Sequence, residues 1–363
     1  MTNSLRIFVT ADPELQVPPR LYGGIERVVA LLVEGLVARG HAVTLFAHPE
    51  SKVSADLVGY SGHRSGSAAD TMMHAAQIAF EAARRHPDVI HSFGRLAYLL
   101  PVMPLAIPKI MSYQRAITKR SVEMGTRLSR GTLHFTACSK QLTRDVDGPA
   151  WHVIYNGVAT EHYQFEPTVS PEAPLMFLGR LERIKGPHLA IEVARKAGRR
   201  LIIAGNVPAG DEHAAYFRTE IEPHVDGRAI MYAGPVDDVM KSELLSQVQA
   251  LLMPVLWNEP FGIVMAEALA CGTPVIGLSR GAVPEVVADG VTGFVCRNVD
   301  EMADAVARLS VIDRRACRDA AERRFSQHAL VDAYESLYQR IIRPKAAAAE
   351  VRKAEVGQEG SGA

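Results

Sequence analysis

The feature that most narrows the fold is an alternation of short apolar runs with helical periodicities, laid down in two series on either side of a proline-bearing connector. In the first series the run Ile7 to Val9 leads through a polar loop to Gly23-Gly24. A helical pattern follows through Val28, Val29, Leu32 and Leu36, then Gly40 and a second run, Val43 to Ala47. A 3.6-residue period set between two short apolar runs is a βαβ unit. Further strands are predicted at Val89 to His91, Lys109 to Ser112, His134 to Ala137 and His152 to Tyr155. The stretch Val158 to Pro174 carries Pro167, Pro171 and Pro174 and little apolar periodicity, the pattern of a surface connector. The second series is predicted as strand Leu175 to Leu178, helix Pro187 to Lys196, and strands Leu201 to Ala204, Ala229 to Tyr232, Ala250 to Met253 and Val275 to Gly277.

Two such series imply an α/β fold of two doubly wound, Rossmann-like domains with parallel sheets, which bind ligands at the carboxyl ends of their strands. At 363 residues the chain exceeds one compact core, so a cleft between domains is expected. The division is placed at residues 1–170 for the first domain and 171–328 for the second. Residues 344–363 turn to Ala, Glu, Lys and Gly and cannot bury enough apolar surface to order themselves. With 40 basic residues against 40 acidic ones, the charge balance gives no argument for nucleic-acid binding. The opening residues run straight into a strand without a long apolar segment, so a cytoplasmic protein with no transmembrane span is expected. Cys138, Cys271, Cys296 and Cys317 are scattered, with no C-x-x-C pair and no histidine cluster. They suggest buried, reduced thiols, and no metal site is expected.

The chemistry concentrates in the run Glu259 to Val275, EPFGIVMAEALACGTPV. Pro260 supplies a helix-compatible φ and has no N–H to lose, so a helix should begin near Phe261 or Gly262 with Glu259 just ahead of it. Glu267 then lies about two turns along, roughly 12 Å of rise. First-turn N–H groups attract electron-rich ligand oxygens, Gly262 lets a ligand approach the backbone, and each carboxylate can accept hydrogen bonds from a pair of sugar hydroxyls. The competing reading makes Glu259 a helix cap and Glu267 a solvated side chain. In GRLERIKG, Gly179 to Gly186, Arg180 and Lys185 follow a strand and suit a diphosphate, with a solvated loop as the alternative. Gly23-Gly24 resembles a phosphate-approach turn but is not a G-x-G-x-x-G signature, and no Walker lysine pattern occurs. His91 ends a strand, where it could enter the cleft or serve as a hydrogen-bonded structural residue. From Lys109 to Arg130 six basic residues (Lys109, Arg115, Lys119, Arg120, Arg127, Arg130) face a single acid, Glu123. They read either as contact with an anionic acceptor or the inner face of a membrane, or as a solvated helix face.

In combination these residues resemble the retaining GT-B glycosyltransferases of family four, over nearly everything from Ile7 to Ile342. The spacing Glu259 to Glu267 looks like that family's E-x7-E signature, beside Phe261-Gly262-Ile263-Val264 and Gly272-Thr273-Pro274-Val275. Gly179-Arg180, Lys185-Gly186, Gly23-Gly24, Ser139 and Asn156-Gly157-Val158 match in order. The resemblance implies a GT-B fold, with a terminal helix (329–343) crossing back to the first domain. It implies transfer of a hexose-type sugar from a nucleoside-diphosphate sugar to an acceptor hydroxyl with retention, without metal or other cofactor. Glu259 and the backbone at Gly262, Ile263 and Val264 would hold the donor sugar, and Glu267 the ribose. Arg180 and Lys185 would grip the diphosphate, Gly23 and Gly24 would line the opposite wall, and His91 would lie near the reacting sugar. The acceptor, by family habit a saccharide or glycolipid, is not specified. Two positions depart from the family pattern: Phe93 replaces a second histidine, and Ala159 an Asp. A GT-B phosphorylase or epimerase, or a non-catalytic sugar-nucleotide-binding partner, would share the architecture.

Overall fold

The computed structural model describes residues 4–342 apart from 21–22, 147 and 149; the tail 344–363 lies outside the described residues. The first sheet comprises β1 (Arg6–Thr10), β2 (Ala42–Ala47), β3 (Asp56–Gly59), β4 (Val89–Ser92), β5 (Lys109–Tyr113), β6 (Leu133–Ala137) and β7 (Trp151–Val153), ordered β3-β2-β1-β4-β5-β6-β7. The second comprises β8 (Leu175–Leu178), β9 (Leu201–Ala204), β10 (Ile230–Gly234), β11 (Ala250–Met253), β12 (Val275–Leu278) and β13 (Gly293–Cys296), ordered β10-β9-β8-β11-β12-β13. All pairings are parallel, with Ile7 set between Val43 and Val89, and Leu251 between Met176 and Val275. β8 and β11 are apolar on both faces and fully buried, and β1 is buried from Ile7 onward, as parallel sheets covered by helices must be.

Strand order reverses between β1 and β4 and again between β8 and β11, and in doubly wound sheets such switch points open a crevice at the carboxyl ends. The helices Gly24–Ala38 and 327–342 cover one face of the first sheet. The helices Ala68–Arg85 and Lys119–Ser129, with the 3-10 turn Leu96–Val102, pack on the other. Leu330, Val331, Leu337 and Tyr338 seat the terminal helix in the first core, although it follows the second sheet in sequence. Gly35 permits its close approach, because a Cβ there would stand 2.4 Å from Val331 Cγ2. The chain crosses between the lobes at two places, which lie side by side: Val158 N–H donates to the Phe325 carbonyl (2.7 Å) and Gln327 N–H to that of Val158 (3.0 Å).

Where expectation and structure differ, the reasons are local. β3 is a half-buried edge strand with too few apolar residues to show a period, and β13 is a short run opened by a glycine. β7 ends at Val153 instead of reaching Tyr155, whose ring has already left the sheet to pack against Phe261 and Phe325 at the crossing. β10 starts at Ile230, one residue later than expected, after Asp226 has collected the N–H groups of Arg228, Ala229 and Ile230. The six-residue basic run also divides. Lys109 is fully buried, its ammonium on the carbonyls of Met103 and Leu105 and on Thr132 Oγ1, so it belongs to neither surface reading. Arg115 pairs with Asp12 (2.9 Å), and Lys119, Arg120, Arg127 and Arg130 remain exposed.

Candidate functional site

Between the lobes lies a cleft of about 470 Å³, and the chain reaches it where strands end. Gln114 and Arg115 follow β5, Gly179 and Arg180 follow β8, Gly205 and Asn206 follow β9, and Val255, Trp257 and Glu259 follow β11. Gly23, Gly24, Ile25 and Arg27 line it from the start of the helix Gly24–Ala38, and Gly262 to Val264 from the start of the helix Ile263–Ala270.

That second helix is capped by Gly262 at φ 75°, with no side chain on its N-terminal N–H groups; Met265 N–H turns back to the Gly262 carbonyl (2.9 Å), and Ile263 and Val264 line the cleft. Glu259 sits just ahead of it, 7% exposed, where its carbonyl accepts from Ala282 N–H (2.8 Å). Glu259 Oε2 accepts from Lys185 Nζ (2.6 Å) and from the Trp257 indole N–H (2.9 Å), and the same ammonium lies over the Trp257 ring. Glu267, 3% exposed, accepts on one oxygen, Oε1, from Lys241 Nζ (2.5 Å) and Tyr163 OH (2.7 Å). Burial first, and then that carboxylate, push the Tyr163 hydroxyl far above its ordinary range, which keeps it a donor. Both competing sequence readings thus fall: Glu259 caps no helix and Glu267 is not solvated.

Lys241 also pairs with Asp238 (2.9 Å), which in turn meets Arg27 of the opposite lobe (2.5 Å), so a line of alternating charge runs from Glu267 across the cleft. Burial would raise the Asp238 carboxyl, but Lys241 and Arg27 outweigh it and hold it below its usual range. Arg180 pairs with Glu182 (2.6 Å) and lines the cleft, as does Lys185. Two glycines make this wall possible: a Cβ at Gly205 would lie 1.8 Å from the Gly179 carbonyl oxygen, and one at Gly186 would lie 2.1 Å from that of Pro254. Across the cleft, Gly24 comes so near the second lobe that a Cβ there would touch Ile263 Cδ1 at 3.2 Å.

Of the expected site residues, the cleft gathers Gly23, Gly24, Arg180, Lys185, Glu259, Gly262, Ile263, Val264 and Glu267. His91 is the correction. Its side chain leaves β4 on the face covered by the terminal helix, and it is fully buried between Tyr338 OH (2.6 Å) and Ser112 Oγ (2.6 Å), away from the cleft lining. Burial drives its pKa down to about 3, so the ring stays neutral and structural. Missed by sequence reasoning were Arg27, Gln114, Asn206, Asp238, Lys241 and Trp257 in the lining, and Tyr163 behind Glu267; Arg115, read from the sequence only as part of the basic run, also lines the cleft. Gln114 and Arg115 had a usable signal, since they directly follow a predicted strand; Lys241 and Tyr163 reach Glu267 from elements distant in sequence. Among the described residues no group of three or more His, Cys, Asp or Glu is placed to hold a metal ion, and no helix is long and apolar enough to cross a membrane.

Residues 160–324 match the family model described as glycosyl transferases group 1, and residues 22–162 match that of glycosyltransferase family 4. The chain is 27% identical over 365 residues to the glycogen synthase of Mycobacterium tuberculosis, spanning 85% of this chain and 86% of that protein. In fold it is similar to the sucrose-phosphate synthase of Thermosynechococcus elongatus, with a TM-score of 0.76 at 18% identity over 94% of this chain and 100% of that one. It is likewise similar to the Anabaena protein HepE in complex with UDP and glucose, with a TM-score of 0.72 at 16% identity over 92% of this chain and 99% of that one.

Proposed function

The chain belongs to the group 1 glycosyltransferases of GT-B fold, and on that premise we propose that it transfers a hexose-type sugar from a nucleoside diphosphate to an acceptor hydroxyl with retention of configuration. The observation that carries this reading is the convergence in one cleft of an open helix N-terminus, two buried carboxylates and two cations. Glu267 has one oxygen committed to Lys241 and Tyr163, and its other oxygen is suited to a ribose diol. Glu259, anchored by Lys185 and Trp257, is suited to donor-sugar hydroxyls beside the N–H groups at Ile263 and Val264. Lys185 gives one of its three N–H donors to Glu259, so two remain for the diphosphate alongside the Arg180 guanidinium. The similarity of the fold to a protein seen with UDP and glucose supports a sugar nucleotide as donor.

In the reaction the bond from the anomeric carbon to the leaving phosphate oxygen breaks, and the acceptor oxygen bonds to that carbon on the same face. The acceptor proton passes to the departing phosphate. Charge growing on the diphosphate is met by Arg180 and Lys185, which supply the stabilisation without a metal ion. Among the described residues the first-lobe lining offers Arg27, Gln114, Arg115 and Asn156 but no carboxylate, which favours the phosphate as base over an enzyme group on the opposite face.

The test is a thermal-shift panel of UDP-, GDP-, ADP- and dTDP-sugars. A donor at a hundred times its dissociation constant adds about 2.7 kcal/mol. One donor class should raise the melting temperature in the wild type and not in Glu267→Ala; an equal shift in that variant removes the ribose role. Retention is read from the anomeric proton coupling of the product.

A further inference from the structure

We propose that Gln114 and Asn156 together form a seat for a hydroxyl of an uncharged, polyhydroxylated acceptor on the first-lobe wall of the cleft; this deepens the glycosyltransferase reading and rests on it. Gln114 follows β5 and Asn156 follows β7, so the two amides meet above the end of β6, where Cys138 Sγ touches the Pro260 carbonyl of the donor motif (3.5 Å). Asn156 Nδ2 donates to Gln114 Oε1 at 2.8 Å. Asn156 is only 3% exposed, and its Oδ1 has no hydrogen-bond partner among the described residues, although both residues line the cleft.

A buried amide oxygen without a partner is costly, and native structures rarely keep one unless a ligand or water completes it. An amide pair spends one donor and one acceptor internally. What remains is the Asn156 oxygen as acceptor and the Gln114 Nε2 group as donor. A hydroxyl is donor and acceptor at once, so it answers both; a phosphate or carboxylate offers no proton to the Asn156 oxygen. Turning both amides over exchanges the roles and leaves the same complementarity. The two cations on this wall are each paired with a carboxylate, Arg115 with Asp12 (2.9 Å) and Arg27 with Asp238 (2.5 Å), which leaves little net charge to draw an anionic acceptor.

The experiment follows release of the nucleoside diphosphate from the stabilising donor. Methyl α-D-glucoside, maltose and glycerol serve as neutral probes, and glucose 6-phosphate as the charged one. Neutral probes should accelerate release by the wild-type enzyme. Gln114→Ala and Asn156→Ala should raise the half-saturating probe concentration about five- to tenfold, the loss of one or two neutral hydrogen bonds, while keeping the donor's thermal shift. Gln114→Glu, equal in size but with no amide donor, should behave like Gln114→Ala, which separates lost recognition from lost folding. The seat is overturned if no neutral probe stimulates, if only glucose 6-phosphate does, or if the variants keep wild-type half-saturation. It is also overturned if the variants lose the donor shift, which would assign the amides to the donor. Absence of any donor shift in the wild type defeats the underlying reading instead, and the seat with it.

Discussion

At the scale of single residues, the molecule sorts its polar groups by whether their hydrogen bonds are complete. His91 has both ring nitrogens engaged and no access to the cleft, so its chemistry is that of a core residue. An unfolded imidazole takes up a proton near its ordinary pKa of 6.5, whereas the folded one refuses it until about 3. Stability from this group is therefore complete above the unfolded value and is lost as pH falls through that window, by about 1.4 kcal/mol per pH unit. Denaturation curves for His91→Gln should show a shallower loss between neutral and acidic pH than the wild type, and parallel curves would contradict the buried neutral state. Arg180 and Lys185 present the opposite case, as cations that line the cleft. Arg180→Ala or Lys185→Ala should reduce kcat by about a hundredfold or more, the usual consequence of removing a group that meets developing charge. Each variant also strips a buried carboxylate, Glu182 or Glu259, of its cation, so turnover is compared on protein shown to be folded, and near wild-type turnover in both would take them out of the mechanism.

At the scale of elements, the strands and their carboxyl-terminal loops were legible because apolar runs and glycines leave a local record. The helix Pro187–Lys196 and the strands Leu175–Leu178, Leu201–Ala204 and Ala250–Met253 have the bounds that periodicity and proline placement predict. The run Glu259 to Val275 was legible for the same reason, since Pro260 and Gly262 announce a helix start. What could not be read was partnership across the chain. That Lys241 and Tyr163 converge on Glu267, that Asn156 meets Gln114, or that a terminal helix buries His91 depends on elements brought together only by folding. Gly262 offers an element-scale test against Gly290, because their φ values are 75° and 72°. Alanine at either should cost about 1–2 kcal/mol for a left-handed backbone. A Cβ at Gly290 meets nothing within 4 Å, whereas one at Gly262, at the helix terminus in the cleft, would press on Met265 Cε (2.7 Å), Met253 Cε (3.0 Å) and Glu259 Cγ (3.3 Å). Both variants should melt a few degrees lower, and only Gly262→Ala should weaken donor binding by calorimetry; equal binding in the two would remove the close approach argued for Gly262.

At the scale of the whole molecule, the lobes meet through the crossing at Val158 and Phe325 and through the Arg27–Asp238 pair spanning the cleft. That pair is partly exposed and is worth at most about 1 kcal/mol in stability. Its position gives it a second consequence, because Asp238 also holds Lys241 and through it Glu267. Arg27→Ala should leave the melting temperature nearly unchanged and enlarge the radius of gyration of the free protein in solution scattering. An unaltered scattering profile would show that the pair does not govern the separation of the lobes.

The return of the terminal helix to the first sheet has a consequence for how such a protein can be recombined. A donor-binding lobe transplanted from a relative cannot be joined at one point along the gene. Its border falls once near Val158 and again near Ser326, where the two passing segments are bonded to each other. Splicing only at the first border would pair the foreign lobe with a foreign terminal helix and ask it to fit the native surface at Gly35, His91 and Ser112. Productive hybrids should therefore arise from exchanges bounded at both places, with the last helix kept with the lobe it covers and not with the one it follows.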